Sequence, residues 1–314
     1  GIIVTSAKEK NAALIETTAK KCRVTWAKDG HLAQTNHYIH PDLQEGEIAT
    51  NGGWTAYTKD RLRLAQSFFT SVKQRGGATV QDMQNFLGSD YEIDSPHISR
   101  VAGSLVGHVM SVQSVVFKLQ SGIISLSIGE APTGFGPYIE HQIDWSGNTA
   151  EVIGIEKIAK SEVSAPYRLG KKYEAYKNFQ NAYLQEFQGA PVETVYASIE
   201  RARTVAKDDP SLAFISGVLS LEQNNFSVAL EHFTNALAIE GSPFHIAQNL
   251  LWASRAADAM GSKKEATELR NRLNQIQHES VENLKRQAEK DTRRLFPRRD
   301  FSDVVVNFAI LDAA

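Results

Sequence analysis

A single thiol, Cys22, is all the cysteine that this 314-residue chain contains. That excludes an intrachain disulfide framework and a multi-cysteine zinc site. It fits a reducing compartment such as the cytoplasm without requiring one. Charge of either sign is not in excess: 34 basic residues stand against 36 acidic ones, a net of −2. Nothing in that balance points to nucleic acid as a partner. No uninterrupted apolar run nears the ~20 residues needed to span a bilayer, and no secretory signal opens the sequence. What is present, 42% hydrophobic and 22% charged residues, is the make-up of ordinary globular proteins. The length suffices for two domains.

The period of the apolar residues changes along the chain. Gly1 to Ser6, Asn11 to Thr17 and Lys20 to Ala27 read as strands. Cys22, Val24 and Trp26 share one face of the third, the place of a small core hydrophobe for the cysteine. Asp29-Gly30 reads as a hairpin turn, with Leu32 to Thr35 pairing back. From about Thr58 a helical face appears in Leu62, Ala65, Phe68, Phe69 and Val72, ended by Gly76-Gly77. Thr79 is placed to cap a second helix running through Phe86. Strand periodicity returns in Val112 to Leu119 and Gly122 to Ile128, with a turn at Ser121-Gly122. Antiparallel strands segregated from helices predict an α+β fold.

Beyond a linker-like stretch the chain turns helical: Tyr167 to Phe187, Val192 to Lys207, Leu212 to Glu222 and Phe226 to Ile239. The last two, joined at Asn224-Asn225, resemble a tetratricopeptide unit. Gly217, Ala229, Phe233 and Ala236 take the small and aromatic positions where its helices approach closely. A second unit keeps small residues at Ser254, Gly261 and Ala266 but has Arg270 in place of the aromatic. The expected division is therefore a first domain over 1–150, a linker over 151–166, a helical-repeat-like domain over 167–290 and a tail over 291–314. A strand in that tail, Asp303 to Leu311, is expected to return to a sheet.

The chemistry-bearing residues fall in a few short stretches. Thr35-Asn36-His37 follows the hairpin, and Ile15-Glu16 precedes it. Thr58-Lys59-Asp60-Arg61 opens a helix, and Ile98-Ser99-Arg100 precedes the strand pair Ser114 to Phe117 and Ile124 to Gly129. In this order and spacing they resemble the penicillin acyltransferase (isopenicillin N acyltransferase-like) family of N-terminal-nucleophile amide hydrolases. The resemblance covers roughly Gly1 to Ile143, the later half of that catalytic domain, and Ser99 departs from the family's usual cysteine in Ile-Cys-Arg. It implies part of an αββα sandwich and a small-molecule N-acyl substrate, with no cofactor. Asn36 would be the oxyanion donor, a neutral amide suited to developing negative charge because it does not itself titrate. Arg100 would hold the same pocket, bracing its neighbours or offering a permanently charged fork to the substrate.

In the family the attacking group is an N-terminal cysteine whose own α-amine acts as base, and Cys22 has no free amine. The resemblance therefore implies a nucleophile outside these residues, on a preceding segment or on a second chain separated by proteolysis, or else a degenerate relative that has lost the activity. Taken without the family, Asn36 is a turn former and Arg100 an ion-pair arginine. His37, His40 and Asp42 invite a metal reading but lack a further ligand at convincing spacing. The alternative function is a non-catalytic interaction protein that binds a protein partner on the helical repeats.

Overall fold

The computed structural model describes residues 1–45, 47, 52–144, 154–162, 171–297, 300–301, 304, 306–308 and 311–313. The fold is α+β, and the chain forms two compact units. The first gathers residues 1–49, 58–89 and 110–166, the second 50–57, 90–109 and 167–314. The division expected near residue 150 is thus too simple, because two earlier segments belong with the helices.

In the first unit, β1 (Ile2–Ser6), β2 (Asn11–Thr17) and β3 (Cys22–Trp26) form an antiparallel meander in that order. The turn that follows β3 is made at Asp29 (φ 57°) and Gly30 (φ 79°), both left-handed. The expected fourth strand is absent: Leu32 to Thr35 form no ladder, and only a Lys28–His31 bridge follows the turn. Register pairs Ile2 with Ile15, Ala13 with Trp26 and Ile15 with Val24. Partners directly opposite share a face, so Ile2, Val4, Val24 and Trp26 lie together, 67%, 48%, 51% and 57% exposed. Leu14 and Glu16 take the other face and are fully buried. Cys22 sits on the uncovered face and is exposed, so its expected place in the core is corrected. The alternation was sound, but the sheet buries the opposite set of side chains.

After α1 (Pro41–Gln44) come α2 (Gly52–Gln74) and α3 (Val80–Leu87). Thr79 caps α3 through a reciprocal box with Asp82, satisfying donors that a helix start leaves unpaired. A second antiparallel sheet follows: β4 (Val115–Lys118), β5 (Ile123–Ser127), β6 (Pro137–Asp144) and β7 (Gly154–Glu162), in sequential order. Gly122 makes the β4–β5 turn at φ 67°. Val80, Met83 and Leu87 of α3 pack on Val116 and Tyr138 of this sheet. The strand β7 occupies much of the expected linker, whose remaining residues, 151–153 and 163–166, lie outside the described ones.

In the second unit, α4 (Lys171–Phe187), α5 (Val192–Val205), α6 (Pro210–Glu222), α7 (Phe226–Ile239), α8 (Pro243–Ala259) and α9 (Lys263–Gln275) pack in succession, and α10 (Glu282–Arg293) lies on α8. Helix α6 is buried on every side from Pro210 to Leu221, which is why its sequence shows no polar stripe. A Cβ on Gly217 would lie 2.5 Å from the Phe233 ring. Gly217→Ala should therefore cost roughly 1–3 kcal/mol through overpacking, despite alanine's better helix propensity. Urea unfolding measures it, and an unchanged midpoint would mean that the helices do not approach so closely.

The tail does not rejoin either sheet among the described residues. Val306–Asn307 (β8) pairs with Asp312–Ala313 (β9), while Phe308 stacks near Phe179 and Tyr183, and Phe301 near Phe226. Aromatic burial against helices, not ladder pairing, holds it.

One carboxyl in this unit sets a pH dependence. Burial, then the nearby Glu186 charge, pushes Glu222 up to about 8. The folded protein therefore holds that proton more tightly than the unfolded chain does. The stability so gained is complete below the ordinary glutamate range and is lost as pH rises through about 8. Glu222→Gln should remove this slope and stabilise the protein above that pH. Discounting for partial solvent exposure, the gain is about 1 kcal/mol. Parallel denaturation curves for the two proteins across the range would contradict it.

Candidate functional site

The segment from Thr35 to His40 makes no ladder, and side chains take the N–H groups of Asn36, Tyr38, Ile39 and His40 instead. Thr58 Oγ1 accepts from Asn36 N at 2.9 Å, and Glu47 Oε1 from Tyr38 N at 3.1 Å. The two carboxylate oxygens of buried Glu16 accept from Ile39 N at 2.7 Å and His40 N at 2.9 Å. Every backbone donor needs a partner, and here acceptors from β2, the following loop and α2 supply them. The result is an irregular segment with a fixed shape.

Thr58 and Arg61 lie three residues apart on α2, hence one turn apart on one helix face. Thr58 holds the Asn36 backbone, while Arg61 Nη2 donates to Asn36 Oδ1. A guanidinium has donors only, so this contact fixes which amide atom faces Arg61. The other branch, Nδ2, has no hydrogen-bond partner among the described residues. Asn36 is exposed and lines a cavity of about 400 Å³ with Gly1, Gln34, Thr35, His37, Tyr38 and Glu47.

A hydroxyl network lies behind the amide. Thr35 Oγ1 donates to the Thr58 carbonyl at 2.8 Å, and His37 Nδ1 lies 2.9 Å from Thr58 Oγ1. Burial lowers the His37 pKa, favouring a neutral ring. Thr58 is itself buried, so its hydroxyl braces Asn36 and is not presented to the cavity. His40 Nδ1 accepts from Asp42 N and so caps α1, while Asp42 accepts from Arg23 at 2.7 Å.

Arg100 is placed quite differently. It lies in the other compact unit and is absent from the lining of the Asn36 cavity. Its guanidinium is 0% exposed and grips Glu240 with both terminal nitrogens, at 2.9 and 3.1 Å. It also donates to Ser95 Oγ at 3.0 Å. Glu92 Oε2 stands 3.3 Å from Nη1, an ion-pair distance without hydrogen-bond alignment. Glu92 Oε1 accepts from Ser104 N and lies 2.9 Å from His245 Nε2. Burial favours neutral forms throughout, yet the opposing charges win. Arg100 is raised, Glu92 falls below the usual carboxylate range and His245 rises. The expectation that Arg100 offers charge to a substrate is corrected: two carboxylates already neutralise it, out of reach of solvent.

A larger cavity of about 650 Å³ includes His97, Ser99, Lys172, Asp208 and Asp209 in its lining. Size alone does not make it the reactive site. The Ser99 hydroxyl donates to Asp90, and Asp90 lies 3.4 Å from Lys172 Nζ, so neither group is poised to attack or to stabilise an anion. Comparison with protein-family models, with curated proteins and with solved structures finds no match. Among the described residues no helix is long and apolar enough to cross a membrane.

Proposed function

We propose that this chain supplies the oxyanion-stabilising part of an amide hydrolase or acyltransferase centre. The attacking thiol belongs to an N-terminal cysteine outside these 314 residues, on a preceding segment or on a second polypeptide. The thiolate adds to the carbonyl of an N-acyl substrate, the carbonyl oxygen gains the negative charge, and Asn36 Nδ2 donates to it. Collapse expels the amine with a proton from the cysteine's own ammonium and leaves a thioester. Water or another amine then takes the acyl group and restores the thiol. Cys22 is not the nucleophile in this reading, since it is exposed on β3 and does not line the Asn36 cavity.

One observation carries the proposal: stretches that resemble the acyltransferase family separately converge on one short segment, Thr58 and Arg61 on Asn36 itself. Glu16, Thr58 and Arg61 all act on the segment containing Asn36. The other reading, an interaction protein working through a free helical face, has less in its favour. Helix α8 is buried along most of its length, including His245, Gln248, Trp252 and Arg255. The testing experiment is purification from the native source, mass spectrometry for a co-purifying polypeptide that begins with cysteine, and assay of the assembled species against an N-acyl panel. Asn36-dependent turnover is expected. Turnover indifferent to Asn36, or none in any assembled species, would reject the reading.

A further inference from the structure

We infer that Arg61 is a positioning residue that locks the Asn36 side chain with its N–H donor turned away from α2. The catalytic consequence rests on the function proposed above, but the lock itself does not. An exposed asparagine amide ordinarily samples both orientations, because its oxygen and nitrogen ends differ little in shape. Here one helix face holds the residue at two points: Thr58 Oγ1 takes the backbone N–H at 2.9 Å, and Arg61 Nη2 gives a hydrogen bond to Oδ1. Rotating the amide by half a turn would set two donors against each other, so one orientation is excluded. The bond has a second effect. A cationic donor on an amide oxygen draws electron density from nitrogen and makes Nδ2–H a stronger donor, as in any hydrogen-bond chain. Arg61 thus extends its charge through one neutral amide, without approaching a substrate that it could otherwise bind as strongly in the ground state as in the transition state.

The side-chain NH2 signals of Asn36 in the ¹⁵N-labelled chain, identified by their loss in Asn36→Ala, report the lock. Rotation of the amide about Cβ–Cγ, read from the ¹⁵N relaxation of these signals, should be slow in the unchanged protein. In Arg61→Ala it should quicken about tenfold or more, the worth of a hydrogen bond to a charged group. Guanidinium below denaturing concentration should restore slow rotation in Arg61→Ala and leave the unchanged protein as it was. Thr58→Val should expose the Asn36 backbone amide to exchange while the side chain stays locked. Far-UV circular dichroism checks the fold of each variant, and Arg61→Met, which keeps the apolar stem, is read if Arg61→Ala does not fold. Free-amide rotation in the unchanged protein, or rotation unaffected in a folded Arg61 variant, overturns the inference. In the assembled enzyme Arg61→Ala should lower kcat by roughly 10–100-fold with KM little changed, partly rescued by guanidinium. A lock that depends on Arg61 without Asn36-dependent turnover would remove the acyl-transfer reading alone. Turnover that needs Asn36 but not Arg61, with the amide freely rotating, would remove the positioning role alone.

Discussion

Asn36→Ala in the assembled enzyme is expected to lower kcat by about 10²–10³-fold, the usual loss for one preorganised oxyanion donor, about 3–4 kcal/mol of barrier. KM should change little, because a ground-state carbonyl gains much less from the donor than the oxyanion does. The fold should survive, since the bond from the Asn36 backbone to Thr58 does not involve the side chain. Asn36→Asp should be at least as damaging: the carboxylate still pairs with Arg61 but offers the oxyanion no hydrogen. Steady-state kinetics on an N-acyl panel separates the cases. A variant that keeps full kcat would leave Asn36 as a turn residue and nothing more.

Arg100→Met is expected to destabilise the protein by about 3–5 kcal/mol, because it leaves Glu92 and Glu240 charged and buried without their partner. The methionine fills much of the space, so the loss measures the charge and not a cavity. The surrounding titrations fix the pH window. Glu92 is depressed, so its contribution is present above the ordinary carboxylate range and fades as pH falls through the folded value. His245 is raised, so its contribution is complete below the ordinary imidazole range and fades as pH rises through the folded value. The cluster therefore stabilises most in mildly acidic solution, but Arg100→Met should cost most at higher pH, where His245 has lost its proton and Glu92 is left without either cation. An unfolding free energy from urea lowered by less than about 1 kcal/mol would mean that these carboxylates are not as buried as described.

How much of this was legible in the sequence differs by element. Helices with their own punctuation were placed closely: Phe226 to Ile239 after Asn224-Asn225, and α3 after Thr79. The close approach of Gly217 to Phe233 could be read from residue size alone. Sheet faces could not. Alternation shows which residues share a face of β3 but not which face is covered, and Cys22 was misplaced for that reason. Leu32 to Thr35 looked like a strand because β propensity says nothing of distant acceptors such as Thr58 and Glu16 that take the following N–H groups. For Thr58 and Arg61 a signal was present, their spacing on a predicted helix, although their joint grip on Asn36 needed coordinates. Arg100 carried no local sign of burial: the glutamate it grips lies 140 residues further along. Glu47 offered none either.

The most direct test is to trap the acyl intermediate. The assembled protein is incubated with a slowly deacylated N-acyl substrate, quenched in acid and analysed by intact-mass and peptide mass spectrometry. The acyl group should appear as a thioester on the first residue of a polypeptide that begins with cysteine, with none on Cys22 or Thr58. Asn36→Ala should slow its appearance without moving it. An acyl adduct on Cys22 or Thr58, formed at the rate of turnover, would contradict the account.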